Sequence, residues 1–186
     1  MRIVRTPNGS EQSMPNPEVP INVEPATGIW STDGMAMIYM PRHFFVNYYS
    51  AMDQALGREK HSALLYASSH KSANEWATAE AKTHGFRHVA VFRHYLSRLS
   101  QRGWGRFTIE SVDLQGPAAR VRVDQSAFAL QLGRTGHCEC SMFSGSLAGC
   151  LEWAAADAGT PATVIAEETQ CASQGHDHCT FVVRKA

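Results

Sequence analysis

Apolar residues recur every three or four positions through much of the first half of the chain, a spacing that predicts helices with one buried face. The pattern is clearest over residues 41–56, where Pro41 and Gly57 are typical of a helix start and a helix end. Similar spacing predicts three further helices, over about 59–83, 87–101 and 141–157. A short apolar run at residues 35–40 follows a Thr-Asp-Gly turn, which is typical of a strand.

The apolar period shortens to two in the second half of the chain. Apolar and polar residues alternate around Phe107–Ile109 and again around Val121–Val123, which predicts two strands of an antiparallel sheet with one wetter face. Residues 162–168 and 179–184 are rich in β-branched and aromatic types, so they predict a hairpin near the C-terminus. Because helices come mainly first and strands mainly later, we expect an α+β fold in which an antiparallel sheet packs with helices.

Composition is that of a folded globular protein, since 44% of the 186 residues are hydrophobic and 18% are charged. Seventeen basic residues balance seventeen acidic ones, so no cationic surface for nucleic acid is evident. No apolar stretch is long enough to span a membrane, and a secretory leader is lacking, so we expect a cytoplasmic protein. The Pro-rich start predicts a flexible arm over residues 1–27. A single domain is expected over 28–186, mainly helical over 28–103 and containing the sheet over 104–186.

The most distinctive chemistry lies at the predicted hairpin. Glu168, Cys171 and Cys179 fall within twelve residues, and a loop that carries Gly175 would bring the two thiols together. Thiolates and carboxylates are ligands for Zn²⁺, which takes four ligands in a tetrahedral array. The thiols from which a fourth ligand can come are Cys138, Cys140 and Cys150.

These cysteines also have structural interpretations. Cys150 lies in an apolar helical pattern, which favours a small buried hydrophobe. Cys171 and Cys179 could form a disulfide, but that requires an oxidising compartment, and the odd number of five cysteines fits a reducing one. We therefore prefer metal binding for the hairpin residues, although C-x7-C is not a standard zinc signature.

The runs Cys140-Ser-Met-Phe-Ser-Gly145-Ser-Leu-Ala-Gly149, Glu168-Thr-Gln-Cys171 and Gly175-His-Asp-His-Cys179 resemble the V4R (4-vinyl reductase) domain family. Upstream, Gly28-Ile-Trp30 and Gly103-Trp104-Gly105 resemble the preceding portion of the family's sensor members, so the resemblance covers most of residues 28–184. That family includes the effector-sensing domains of phenol- and toluene-responsive transcription activators, a bacteriochlorophyll-synthesis protein, archaeal stand-alone proteins and relatives in vesicle-tethering complexes.

The resemblance implies a zinc-stabilised C-terminal hairpin whose ligands are Cys140, Glu168, Cys171 and Cys179. It selects Cys140 as the fourth ligand. The interval from Cys140 to Glu168 is longer than in the aromatic sensors, which keeps Cys138 open, and Glu167 is a nearby substitute for Glu168. Four protein ligands leave no position for water, so such a site would be structural.

The resemblance also implies an internal ligand cavity, for which the candidate contacts are His94, Trp104 and Arg122. His94 corresponds to a His that contacts the phenol hydroxyl in the aromatic sensors. Arg122 falls where those sensors have a Trp, and a guanidinium prefers carboxylate or phosphate. The ligand is thus expected to be aromatic or a small anion. A structural role for His94 and a surface position for Arg122 are the open alternatives.

The activators join their sensor to ATPase and DNA-binding domains, whereas this chain ends seven residues after Cys179. We therefore expect a stand-alone sensor or carrier of a small molecule, a homodimer that acts through a protein effector. The alternatives are an enzyme or enzyme accessory subunit that acts on a hydrophobic substrate, and an assembly subunit that binds an acyl chain. The absence of dinucleotide, nucleophile-elbow and His-Glu-x-x-His motifs disfavours an enzyme.

Overall fold

The computed structural model describes residues 19–186 and the backbone of two short strands before them. These strands, β1 (Ile3–Arg5) and β2 (Glu11–Ser13), pair antiparallel. The other residues of 1–18, which include much of the predicted flexible arm, lie outside the described residues. The boundaries of the arm and of the single domain therefore stay predictions.

A small antiparallel sheet precedes the helices. Its strands are β3 (Asn22–Val23), β4 (Trp30–Thr32) and β5 (Met35–Met37). The strand predicted over 35–40 is thus present but shorter. Asp33 and Gly34 form the β4–β5 turn with φ angles of 52° and 80°. Asp and Gly are residue types that tolerate this left-handed region, so the turn follows from the Asp-Gly sequence.

The four helices that the apolar spacing predicts are all present. They are α1 (Arg42–Leu56), α2 (Arg58–His84), α3 (Val89–Gln101) and α5 (Ser141–Asp157). Pro41 immediately precedes α1 and Gly57 separates α1 from α2. An additional short helix, α4 (Ala127–Leu132), is a feature that the sequence pattern did not predict. It begins after Ser126, whose side chain accepts a hydrogen bond from the Ala129 N–H at 3.5 Å.

The second half of the chain forms the main sheet. Its strands are β6 (Arg106–Asp113), β7 (Ala118–Asp124), β8 (Val164–Gln170) and β9 (Cys179–Lys185). They are antiparallel in the order β6-β7-β9-β8, so β7 and β9 are internal strands. The two strands predicted from alternation correspond to β6 and β7, and the predicted C-terminal hairpin corresponds to β8 and β9. The α+β class with antiparallel sheets packed against helices is confirmed.

The helices α2 and α5 touch through their backbones at two glycines. An added Cβ at Gly145 would lie 2.8 Å from the carbonyl carbon of Tyr66, and one at Gly149 would lie 2.9 Å from that of His70. Because the glycines are four residues apart, they occupy the same face of α5. Helix α5 also contacts β8. The close approach of α2 thus fixes α5 against the sheet, together with the Cys140 residue from which α5 starts.

Aromatic side chains fill the space where α1, α4 and α5 meet. We call this group the aromatic cluster: Phe45, Tyr49, Trp104, Phe128 and Phe143. The fully buried Phe128 contacts the other four rings, with centroid distances of 5.3 to 6.2 Å. The cluster supplies much of the apolar burial on this side of the molecule.

The described helices include no membrane span. Within residues 19–186, every helix is too short or too polar to cross a bilayer.

Candidate functional site

The connection between β8 and β9 brings three of the candidate ligands together. Glu168 lies in β8 next to an irregularity in its register with β9, Cys171 follows β8, and Cys179 begins β9. A 3-10 turn (Ala172–Gln174) reverses the chain and ends at Gly175, whose φ of 102° is one that glycine favours. The predicted role of this glycine in closing the loop is consistent with its conformation.

Cys140 completes the group from the N-terminal end of α5. Its Sγ lies 4.0 Å from that of Cys179, which in turn lies 3.8 Å from Cys171 Sγ. Its backbone N–H donates to Glu168 Oε2 at 2.9 Å. The three sulfurs and one oxygen of Glu168 all lie within 4.8 Å of one another, and the three cysteines are fully buried. We call these four residues the thiolate cluster.

The spacing of the thiolate cluster fits a tetrahedral zinc ion. Two sulfurs bound at about 2.3 Å in tetrahedral geometry lie about 3.8 Å apart, close to the separations of 3.8 and 4.0 Å. All five cysteines are free thiols. Glu168 Oε1 is buried and has no hydrogen-bond partner among the described residues. A buried carboxylate oxygen needs a partner, and a bound cation would provide one. The cluster can therefore hold a metal ion.

Burial and mutual repulsion prevent all four acidic groups from ionising together. Burial raises the pKa of Glu168 to about 8. Hydrogen bonding to the Cys140 and Cys179 thiols lowers the pKa of Cys171. A divalent ion favours the deprotonated form of every ligand, so its binding would release protons. The Ala172 N–H also points at Cys179 Sγ, at 3.3 Å, as an outer partner of a thiolate ligand would.

The alternative ligands lie outside the thiolate cluster. Cys138 Sγ donates to the main-chain oxygen of Glu168 at 3.5 Å. Glu167 pairs with Arg184 at 2.9 Å on the exposed surface. Cys150 is completely buried within α5, in agreement with its structural interpretation.

The structure does not bring the three predicted ligand contacts together. His94, on α3, places Nε2 2.8 Å from Glu80 Oε2 and stacks on Trp76 with a centroid distance of 5.5 Å. Burial lowers the pKa of His94 to about 4, so its ring is neutral at pH 7. Trp104 belongs instead to the aromatic cluster, where its ring lies 5.4 Å from Phe45.

Arg122 lies on the face of the sheet opposite to the one that carries the buried Val121 and Val123. It alternates along β7 with the buried residues Val121 and Val123, and successive side chains of a strand point to opposite faces. Its guanidinium pairs with Asp124 Oδ1 at 2.7 Å. Ligand-contact roles for His94, Trp104 and Arg122 stay predictions.

A pocket of about 290 Å³ lies beside the aromatic cluster. Its lining is largely polar and includes Asp53, Arg58 and Glu139. Glu139 Oε2 accepts hydrogen bonds from Tyr49 Oη at 3.1 Å and Arg58 Nη1 at 2.8 Å. Glu139 Oε1 is buried and has no partner among the described residues. This pocket is not evident from the sequence because Tyr49 and Glu139 are 90 residues apart. The one available signal was an acidic residue between Cys138 and Cys140.

The fold is α+β and V4R-like, and a Cys/Glu cluster that could bind a metal ion lies near its C-terminal hairpin. Residues 119–185 match the family described as V4R domain, which confirms the predicted resemblance over that segment. The chain belongs to the family described as Domain of unknown function (DUF5943), which matches residues 15–110. No match to a curated protein was found.

Solved structures share this fold at low sequence identity. The phenol-responsive sensory domain of the transcription activator PoxR, crystallised with phenol, is 18% identical, with a TM-score of 0.75 over 89% of this chain and 84% of that chain. A vinyl-4-reductase family protein from Methanocaldococcus jannaschii is 16% identical, with a TM-score of 0.52 over 81% and 84% of the two chains. A trafficking protein particle complex subunit 3 from Naegleria fowleri, covalently bound to palmitic acid, is 11% identical, with a TM-score of 0.55 over 78% and 95%.

Proposed function

We propose that this protein is a sensor or carrier of a small aromatic molecule and that a zinc ion in the thiolate cluster stabilises its C-terminal hairpin. The observation that carries the metal assignment is the sulfur separation of 3.8 to 4.0 Å, beside a buried carboxylate oxygen without a partner. The similarity of the fold to a phenol-responsive sensory domain supports the choice of ligand class.

The zinc ion would have a structural role. Cys140, Glu168, Cys171 and Cys179 would hold it. Four protein ligands fill a tetrahedral site, which leaves no position for an activated water. The ion would supply charge neutralisation and a cross-link between α5 and the β8–β9 hairpin. Zinc sites of this kind contribute on the order of 10 kcal/mol to folding.

The pocket at Glu139 is the best-supported position for the ligand. Its volume of about 290 Å³ is near the lower end of the range for small-molecule sites, so it suits a single ring. The carboxylate of Glu139, which lines this pocket, can accept a hydrogen bond from a hydroxyl group. A carboxylate ligand is disfavoured because the lining contains two carboxylates, Asp53 and Glu139, and one arginine, Arg58. Tyr49 joins this pocket to the aromatic cluster, which contains Trp104, one of the predicted ligand contacts.

Thermal shift and calorimetry with phenol and benzoate test this assignment on the full-length chain. We expect phenol to raise Tm and benzoate to have no effect. Glu139→Gln exchanges a charged acceptor for a neutral one, so phenol affinity should fall about tenfold. Glu167→Gln, at an exposed glutamate, is the matched control and should bind phenol normally. Stabilisation by benzoate but not by phenol would contradict the proposal and favour the anionic ligand.

Intact-mass spectrometry separates this proposal from the assembly-subunit alternative. The denatured chain should have the mass of the unmodified sequence. An added acyl chain, like the palmitic acid of the Naegleria structure, would favour the alternative instead. Homodimerisation and a protein effector stay predictions from the family resemblance, and light scattering tests the first of them.

A further inference from the structure

A second group of metal-ligand side chains lies in the helical part of the chain. Asp33 comes from the β4–β5 turn, Glu80 and His84 lie one turn apart on α2, and His94 lies on α3. One donor atom of each residue lies within 4.8 Å of the others. We call these residues the carboxylate–histidine cluster. All four residues fall within residues 15–110, the portion that matches DUF5943, and outside residues 119–185, which match the V4R domain.

The donor atoms of this cluster converge as the ligands of one ion do. His84 Nε2 lies 3.1 Å from Glu80 Oε2 and 3.3 Å from Asp33 Oδ1. His94 Nε2 lies 2.8 Å from Glu80 Oε2 and 4.0 Å from Asp33 Oδ2. Ligands bound at about 2.1 Å lie roughly 3.0 Å apart at right angles and 3.4 Å apart in a tetrahedron. The separations in the cluster bracket both values.

Glu80 provides an independent indication of a cation. Its side chain is completely buried, and its Oε1 has no hydrogen-bond partner among the described residues. Its other oxygen faces the Nε2 atoms of both His84 and His94. Burying a carboxylate is unfavourable unless each oxygen finds a donor or a positive charge. An ion between the two imidazoles and this carboxylate would meet that requirement.

Two arginines already face the cluster and do not block it. Arg98 donates to Asp33 Oδ2 at 2.7 Å and to Asp33 Oδ1 at 2.9 Å. A carboxylate accepts about four hydrogen bonds, so Asp33 retains lone pairs for an ion. Arg98 would then orient Asp33 as an outer partner. Arg102 acts on Glu80 through its charge, while its Nε donates to the main-chain oxygen of Arg98.

The two histidines provide access from solvent. The side chain of His84 is 30% exposed and that of His94 is 17% exposed, whereas both carboxylates are buried. The ring of Phe86 lies 5.2 Å from His84 and 4.9 Å from His94, so an aromatic wall limits hydration on that side. An ion could thus enter past the imidazoles and reach a largely dehydrated set of carboxylate oxygens.

We propose that the carboxylate–histidine cluster binds a divalent first-row transition-metal ion, as a site separate from the thiolate cluster. Two imidazoles and two carboxylates suit Zn²⁺, Fe²⁺ or Mn²⁺, whereas Ca²⁺ and Mg²⁺ prefer oxygen ligands alone. The bound ion would tie the β4–β5 turn to α2 and α3. This inference does not depend on the proposed ligand or on zinc in the thiolate cluster.

Zinc stoichiometry of the full-length chain tests this second site. After equilibrium dialysis against Zn²⁺ we expect roughly two ions per wild-type chain and roughly one in His84→Ala and in the near-isosteric Glu80→Gln. His70→Ala is the matched control and should keep two, because His70 also lies on α2 but meets a single carboxylate, Glu152, at 2.8 Å. Retention of one ion, together with an unchanged circular dichroism spectrum, shows that a variant is folded.

Cobalt substitution distinguishes the two sites by their ligands. Titration of the wild-type chain with Co²⁺ should give one equivalent with intense sulfur-to-cobalt charge transfer and one without it. Glu80→Gln should lose only the second. A wild-type chain that binds one ion with sulfur ligands would overturn the second site and leave the thiolate site intact. A wild-type chain that binds one Co²⁺ ion without sulfur-to-cobalt charge transfer would overturn the thiolate site and leave the second site intact.

Discussion

Substitution of Gly149 by alanine tests the packing that places the thiolate cluster. The added Cβ would lie 2.9 Å from the carbonyl carbon of His70 and closer still to its oxygen, whereas ordinary contacts of this kind are 3.4 to 4 Å. Both partners are helix backbone, so no side-chain rotation can relieve the clash. Helices α2 and α5 would have to separate by roughly 1 Å, a form of overpacking that typically destabilises by about 1–3 kcal/mol.

Helix propensity acts in the opposite direction. Replacing a mid-helix glycine by alanine stabilises by about 1 kcal/mol. Because the clash is between backbones, we expect the upper part of the overpacking range and a net loss of about 1–2 kcal/mol. For a chain of this size such a loss lowers Tm by roughly 2–8 °C. The sign of the effect therefore shows which term is larger.

Urea denaturation and thermal melting of Gly149→Ala provide the assay. Ala67→Gly, at an exposed position in the middle of α2, is the control that measures propensity without a packing change. It should destabilise by about 1 kcal/mol. If Gly149→Ala is as stable as the wild-type chain or more stable, the helices are not in backbone contact and the reasoning is refuted.

Three further predictions follow from individual contacts. Cys140→Ser should lose the tightly bound zinc while Cys138→Ser retains it, which elemental analysis after dialysis would check. Phe128→Ala should destabilise by about 3–5 kcal/mol, measured by urea denaturation, because a fully buried ring at the centre of the aromatic cluster is removed. The ion pair with Arg87 lowers the pKa of Asp157 below its ordinary value of 3.8. Asp157 therefore stabilises the fold above that value, and the stability difference between the wild-type chain and Asp157→Asn should shrink as the pH falls below 3.8 and through the lower folded value. A difference that does not shrink as the pH falls below 3.8 would contradict this.

The long helices and the main sheet could be predicted because their signals are local. An apolar spacing of three and four residues identified α1, α2, α3 and α5. Alternation identified β6 and β7, and β-branched and aromatic residues identified β8 and β9. Helix α4 has only six residues, too few for a periodic pattern, although Ser126 was a visible cap. The alternation of Arg122 with Val121 and Val123 already contained the information that Arg122 lies on the face opposite the helices.

The sites depended on contacts that no local pattern encodes. Cys171 and Cys179 are joined by one turn, so their proximity could be inferred from the hairpin, whereas Cys140 was selected by family resemblance. Glu139 meets Tyr49 across 90 residues, and Asp33 meets Arg98 across 65 residues. Such pairings depend on how α1 and the β4–β5 turn pack in the finished fold.

X-ray absorption at the zinc edge tests the central claim most directly. The best sample is His84→Ala purified without added metal, since any retained ion then reports on the thiolate cluster alone. The account predicts about one zinc per chain, with three sulfur ligands at about 2.3 Å and one oxygen at about 2.0 Å. A stable, folded chain that contains no zinc, or zinc without sulfur ligands, would contradict it.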